Sequence, residues 1–220
     1  MAESSLSVQD APDGAYLARA VVDASALHSI REANLAFLAL LAQTAVEGTE
    51  HFGLPATVGE RARALEPAAR MIAADCPYTL FDLRFADTRF WRERALAGAA
   101  PGGVDAGPPA AFARAAVFLA WHLVHSNELA AALAFGMGAR AQRVWKGLPV
   151  SALEDAARLA TPHLAARWPR HPTFWTRLLE SAPDPAGANV EAVRLLGLQL
   201  IAADEVWPAP SLAGAPVAPA

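Results

Sequence analysis

The sequence contains few of the residues that crosslinked, metal-binding or strongly cationic proteins require. Cys76 is the only cysteine, so an internal disulfide is excluded and a cysteine-based zinc site is not expected. Lys146 is the only lysine, and arginine supplies the remaining positive charge. The net charge of −4 disfavours strong unaided binding to nucleic acid, but it is compatible with binding inside a complex.

Long apolar runs are also lacking. The most apolar stretch, residues 115–124, is interrupted by His122 and followed by four polar residues. It therefore falls short of the ~20 apolar residues that a membrane span needs. The first residues are acidic and polar, which is not typical of a secretory leader. We therefore expect a cytoplasmic protein that does not enter a membrane.

Helical periodicity dominates what remains. Leu27, Ile30, Asn34, Phe37 and Leu41 recur at spacings of three and four, which predicts a helix with one buried face. No segment has convincing strand alternation, so the predicted fold class is all-α. The predicted organisation is a flexible segment at 1–24, a helical unit at 25–97, a linker at 98–110, a second helical unit at 111–182, a C-terminal amphipathic helix at 186–207 and a disordered tail at 208–220.

Short helices are predicted from the residues that commonly begin helices. Two capping boxes are expected, Thr57 with Glu60 and Ser151 with Glu154. Pro67 favours the first turn of a further helix, and Asp87 is a plausible N-cap. Residues 76–85 are expected to be extended or irregular, because Pro77 disfavours helix at the preceding residue.

The second half of the sequence repeats the order of the first. "FLALLAQ" is matched by "FLAWHLV", and "FG" and "FW" each occur once in both halves. The separations are 81 residues from Phe37 to Phe118, 83 from Phe52 to Phe135, and 84 from Phe90 to Phe174. The pattern predicts an internal duplication, with chance matching in an alanine-rich chain as the alternative.

A duplicated unit would give the first helix a partner within the same chain. A helix with one apolar face must pack against another surface, and a fused second unit is present at high effective concentration. We therefore expect a monomeric pseudo-dimer or a higher homo-oligomer. Asn34 would fix the register if it faced Ala115 of the second unit. The alternative is that Asn34 bonds a neighbouring loop.

The first half resembles the FlhD family, subunits of the bacterial flagellar master transcription regulator. Its members open with an N-L-x-aromatic-L-x-L-A-Q pattern, which is kept here by Asn34, Leu35, Phe37, Leu38, Ala42 and Gln43. Gly53 and Leu54 match the family's Leu-Gly-Ile turn. "LFDLRFAD" at residues 80–87 resembles the family's Cys-x-Phe-Arg-Phe-Asp-Asp run. The resemblance covers about residues 25–95.

Three departures from the family accompany this resemblance. The first helix is about one turn shorter, the family's cysteine position is Phe81 here, and family members are single-copy chains that dimerise. The resemblance implies a transcriptional activator that works with an FlhC-like subunit and binds promoter DNA only within that complex. The alternative is a helical adaptor of a bacterial secretion or surface-structure system, which the net acidity and the missing cysteine favour.

Candidate interaction residues follow from these patterns. The predicted partner interface contains Ile30, Asn34, Phe37, Leu41, Phe118 and Trp121. The predicted DNA-binding residues are Arg84, Arg89, Arg92, Arg140, Arg143 and Lys146, for which a solvated charged face is the alternative. A further basic cluster is expected around Trp168, from Arg167, Arg170 and His171.

No enzymatic site is predicted. The sequence has no nucleophile motif, phosphate loop or paired catalytic carboxylates, so we expect a non-enzymatic protein without a cofactor. His122 and His125 could share one helix face, but Glu128 is poorly placed to join them. We therefore predict no metal site.

Overall fold

The computed structural model describes residues 22–44, 49–95, 107–184 and 189–206. Within these ranges the chain is mostly helical, as predicted. The helices are α1 (Ala24–Thr44), α2 (Ala56–Ala64), α3 (Pro67–Ala74), α4 (Thr88–Phe90), α5 (Pro108–Ser126), α6 (Glu128–Phe135), α7 (Ala139–Lys146), α8 (Leu153–Ala160), α9 (Pro172–Ser181) and α10 (Asn189–Val206). Helix α4 continues into a π-helical turn, Trp91–Ala95, and short 3₁₀ turns, Val150–Ala152 and Thr161–His163, flank α8.

Helix α1 lies in the centre of the core, with the buried face that its sequence predicts. Ile30, Asn34, Phe37 and Leu41 are all 0% exposed. The Phe37 ring lies 5.5 to 6.2 Å from the rings of Phe52, Phe81, Phe112 and Trp175. Two of these rings belong to the second half of the chain, so burial of Phe37 holds the halves together. A fully buried side chain of this size contributes about 1.5–3 kcal/mol.

Two very short strands join the halves. Strand β1 (Phe81–Asp82) pairs antiparallel with β2 (Ala165–Ala166), and Phe81 lies opposite Ala166. The sequence predicted an extended or irregular segment at β1 and no strand at either position. Two residues are too few to show the alternation on which strand prediction depends.

Backbone hydrogen bonds across this junction are reciprocal. Thr79 N donates to Ala134 O at 3.0 Å, and Ala166 N donates to Phe52 O at 2.8 Å. The first half therefore bonds to the last turn of α6, and the second half bonds to Phe52 of the first half. At Gly136 the left-handed backbone (φ +65°) favours glycine, and a Cβ atom would lie 2.8 Å from Arg167 Nη2.

Burial along α5 corrects the sequence alignment of the two long helices. The buried α1 residues Ile30, Asn34, Phe37 and Leu41 correspond to the buried α5 residues Ala113, Val117, Ala120 and Val124, each pair 83 residues apart. Phe118, which the sequence aligned with Phe37 at a separation of 81, is 37% exposed. The match of the letters "FLA" therefore does not coincide with the match in burial, because both helices are rich in the same small and apolar residues.

Helix termini confirm some of the predictions and contradict others. Both capping boxes are wrong: Thr57 lies inside α2, which begins after Pro55, and Ser151 lies inside a 3₁₀ turn. Asp87 is confirmed as a cap, because its Oδ1 accepts from the backbone N–H groups of Arg89 and Phe90 at 3.1 and 2.9 Å.

The segments predicted to be flexible, which are the two ends and the linker, fall largely outside the described residues. These comprise residues 1–21, residues 98–106 of the predicted linker, and the tail at 208–220. Helix α5 begins at Pro108, three residues earlier than predicted. Proline fits this position because the first turn of a helix does not use its own N–H groups for internal hydrogen bonds.

The C-terminal helix finds the partner surface that its amphipathic sequence requires. Helix α10 packs against α9, and Val190, Val193 and Ile201 are buried. Its Arg194 is also buried, and Nη2 donates to Ile72 O at 2.9 Å and to Asp75 Oδ2 at 3.3 Å. These two bonds connect the last helix to the end of α3 in the first half.

Candidate interaction surfaces

Four of the six residues predicted for the partner interface have no exposed surface. They are Ile30, Asn34, Phe37 and Leu41. In this fold they contact other parts of the same chain and cannot contact a separate protein. Phe118 is exposed, whereas Trp121 is half-buried and donates from Nε1 to Leu148 O at 2.9 Å.

Asn34 bonds a loop of its own half. Its Nδ2 donates to Ala74 O at 3.2 Å and to Tyr78 O at 2.8 Å, and its Oδ1 accepts from Leu80 N at 2.8 Å. The prediction that the amide faces Ala115 is wrong, because Ala115 is exposed. The alternative, a bond to a neighbouring loop, is confirmed. A buried amide must find such partners, and this loop supplies them.

Apolar side chains reach the surface on α5, at the start of α6 and in the 3₁₀ turn before α8. We define the apolar α5 surface as Phe118, Trp121, Leu129 and Val150. Leu129 is 65% exposed and Val150 is 57% exposed. The Trp121 ring lies 4.2 Å from that of His125, and Trp121 also bonds the segment that leads to Val150. A protein partner that covered these groups would remove their apolar area from water.

The histidines of α5 do not form a metal site. His125 Nδ1 lies 2.8 Å from Trp121 O, and the Glu128 carboxylate forms an ion pair with Lys146. In the part of the chain that the structure describes, no three His, Cys, Asp or Glu side chains come together in a way that could hold a metal ion.

The six predicted DNA-binding residues are all exposed: three lie in or next to α4, between residues 84 and 92, and three lie on α7, which touches the turn after α4. Trp91, which follows α4, and Trp145 of α7 have ring centroids 4.3 Å apart, and Trp145 Nε1 donates to Phe85 O at 3.0 Å. We define the α4–α7 basic surface as Arg84, Arg89, Arg92, Arg140, Arg143 and Lys146. The buried tryptophan pair holds the two groups of cations in a fixed relative position.

Carboxylates pair with three of the six cations of this surface. Arg84 pairs with Asp87 at 2.7 Å, Arg89 pairs with Glu93 at 2.9 Å, and Lys146 pairs with Glu128. The remaining three cations, Arg92, Arg140 and Arg143, form no ion pair with any described residue. Two of these pairs, Arg84 with Asp87 and Arg89 with Glu93, are local and their spacing is visible in the sequence. The third could not be predicted, because Lys146 and Glu128 belong to different helices.

Comparison with known proteins does not assign this chain to a family. No protein family, curated protein or solved structure matches it. Among the helices within the described ranges, none has the length and apolar character needed to cross a membrane. A functional assignment must therefore be argued from the surfaces themselves.

The predicted cluster around Trp168 is only partly at the surface. Arg167 is 8% exposed; its Nη1 donates to Ala134 O at 2.5 Å and its guanidinium lies 4.8 Å from the Trp168 ring centroid. It therefore has a packing role at the junction of the halves. Arg170 and His171 are exposed.

Buried ionisable groups in the first half are held in their neutral forms. Burial raises the pKa of the Cys76 thiol to about 12, and it raises the pKa of Tyr78 well above its ordinary value. A thiol with such a pKa is not a nucleophile near neutral pH. Cys76 is therefore a small packed residue, as predicted from the sequence.

Asp82 should make stability depend on pH. Asp82 is half-buried, and burial raises the pKa of its carboxyl group above the ordinary 3.8. Between the two values the folded state binds the extra proton, so stability falls as pH rises through that window. In the wild-type chain Phe85 N donates to Asp82 Oδ1 at 3.2 Å, and Asp82→Asn keeps an oxygen that can accept this bond. We expect the stability of Asp82→Asn relative to wild type, measured by urea unfolding, to rise as pH increases from about 4 through the raised native pKa of Asp82.

Asp23 provides a control, because its pKa is shifted in the opposite direction to that of Asp82. Hydrogen bonds from Ala26 N at 2.9 Å and Asn127 Nδ2 at 3.1 Å lower the pKa of its carboxyl group. That contribution to stability is present above the unfolded pKa and is lost as pH falls through the lowered native pKa. Asp23→Asn should therefore lose stability relative to wild type as pH rises. The same trend in both variants would contradict the assignment for Asp82.

Proposed function

We propose that this protein is a non-enzymatic regulatory subunit of the FlhD type. It would act through an FlhC-like partner and contribute the α4–α7 basic surface to promoter DNA within the complex. The observation that carries this proposal is the contact between Trp91 and Trp145, which fixes six exposed cations from distant parts of the sequence on adjoining elements. Arginine beside aromatic residues suits the phosphate backbone of DNA.

We further propose that the two halves are versions of one FlhD-like unit, joined as a pseudo-dimer. Three observations support this. Both halves contain a long helix, shorter helices, a two-residue strand and a final helix in the same order. The strands pair antiparallel, with Phe81 opposite Ala166 and Asp82 opposite Ala165, a register that is symmetric for residues 84 positions apart. The buried positions of α1 match buried positions of α5 that lie 83 residues further along the chain. A pseudo-dimer would remove the need for the covalent link between subunits.

A helical adaptor is the second candidate, and the apolar α5 surface favours it. Leu129 and Val150 are more than half exposed, and a protein partner would remove them from water. The net charge of −4 and the pairing of three cations with carboxylates also weaken attraction to DNA. An adaptor would use the apolar α5 surface without using the basic one.

A DNA-binding assay with and without an FlhC-like subunit separates the two candidates. We expect salt-dependent binding of duplex DNA by the complex. Arg140→Gln combined with Arg143→Gln should weaken that binding about tenfold or more near 0.1 M salt and lower the salt slope by about 2, because each phosphate contact contributes about 0.9 to it.

The control is Arg61→Gln combined with Arg114→Gln. It removes the same charge from arginines that pair with Glu180 and Glu154 elsewhere on the molecule. Equal losses from both double variants would mean that total charge, and not the α4–α7 basic surface, determines binding. If the complex forms but does not bind DNA at low salt, the adaptor is the correct candidate.

A further inference from the structure

We propose that Glu93 and Glu128 restrain DNA binding by the α4–α7 basic surface, so that strong binding requires a partner. We call these two residues the inhibitory carboxylates. The inference rests on the proposed function, because it concerns the same surface. It names the groups that make binding by the isolated chain weak.

Each inhibitory carboxylate occupies a cation that a phosphate would otherwise contact. Glu93 Oε1 lies 2.9 Å from Arg89 Nε, and Glu128 forms an ion pair with the ammonium group of Lys146. A phosphate approaching either cation must displace the carboxylate or remain close to its negative charge. A cation that already has a counter-charge in the protein also releases fewer condensed ions from DNA.

Asp87 is needed to cap α4, whereas neither inhibitory carboxylate accepts a hydrogen bond from the backbone of any described residue in this way. Asp87 caps α4 through two backbone hydrogen bonds, so its charge has a structural reason. Glu93 and Glu128 have side chains 59% and 62% exposed and form ion pairs with Arg89 and Lys146; Glu128 also lies in the first turn of α6, where an exposed carboxylate adds about 0.3–1 kcal/mol. Exposed pairs of this kind contribute little to stability. Their main physical effect is therefore on the charge of the surface.

This arrangement gives a physical reason for binding only within a complex. A partner subunit with basic groups could pair with Glu93 and Glu128 and so release Arg89 and Lys146 for phosphate. Arg92, Arg140 and Arg143, which have no carboxylate partner among the described residues, would give the isolated chain only weak binding.

The test is the double variant Glu93→Gln with Glu128→Gln, assayed as the isolated full-length chain on a random 20-base-pair DNA duplex. We expect about tenfold tighter binding at 50 mM salt, with a salt slope steeper by up to about 2, because two further cations become available. Adding Arg89→Gln and Lys146→Gln should abolish the gain, whereas the same two changes in the wild-type chain should weaken binding, because they leave Glu93 and Glu128 without counter-charges.

The matched control is Glu154→Gln with Glu180→Gln. These glutamates pair with Arg114 and Arg61, so the control makes the same change in net charge away from the basic surface. Thermal unfolding checks that all variants remain folded. If the control tightens binding as much as the test variant, or if neither does while the complex with the FlhC-like subunit binds, the inference is wrong and the proposed function stands. If no variant and no complex binds DNA even at low salt, both are wrong.

Discussion

Replacing Asn34 by alanine is expected to lower the free energy of unfolding by about 3–5 kcal/mol. The change removes three buried hydrogen bonds and leaves Leu80 N and the carbonyl oxygens of Ala74 and Tyr78 without this partner. Each buried polar group left unsatisfied costs about 1–3 kcal/mol. Asn34 is 0% exposed, so water cannot replace the amide without opening the core.

Urea unfolding at neutral pH measures this effect, and two further variants define its origin. Asn34→Asp keeps an oxygen for Leu80 N but directs another oxygen at two carbonyl groups. It should therefore destabilise the protein at least as much as alanine does. Arg31→Ala, on the exposed side of the same helix, should change stability by no more than about 0.5 kcal/mol. A loss below about 1 kcal/mol for Asn34→Ala would show that the loop does not depend on the amide.

Replacing Gly197 by alanine is expected to destabilise the packing of α10, although alanine favours helices. A Cβ at Gly197 would lie 2.0 Å from Tyr78 Oη and 2.2 Å from Tyr78 Cζ. Tyr78 cannot easily move, because its hydroxyl donates to Arg194 O at 3.1 Å and its ring lies 5.4 Å from that of Trp168. Overpacking of this kind costs about 1–3 kcal/mol or more, whereas an exposed Gly→Ala change in a helix would stabilise by about 1 kcal/mol.

Amide hydrogen exchange across α10, together with thermal unfolding, measures this prediction. We expect faster exchange in α10 and a lower Tm for Gly197→Ala. Combining it with Tyr78→Leu should cost less than the sum of the two single changes, because the smaller side chain removes the clash. Gly138→Ala is the control, since a Cβ there would meet nothing within 4 Å. Unchanged exchange and an unchanged Tm for Gly197→Ala would contradict the close contact.

The candidate basic surface could be identified only in part from the sequence. The spacing of Arg140, Arg143 and Lys146 at intervals of three predicts one exposed stripe on a helix, and these residues are exposed on α7. The contact between α7 and the segment after α4 was not predictable, because it depends on Trp91 and Trp145, which are 54 residues apart. Pairing of Lys146 with Glu128 depends on the same tertiary packing.

By itself, the sequence determined the helical character of the chain, the buried face of α1, the cap at Asp87 and the amphipathic nature of α10. These properties depend on residues within a few positions of one another, where periodicity and capping act. Only the tertiary structure decided the 83-residue register of the two long helices, the pairing of β1 with β2 and the loop that Asn34 bonds. Those features depend on which distant surfaces fit together, and side-chain volume and hydrogen-bond geometry determine that fit only in the folded chain.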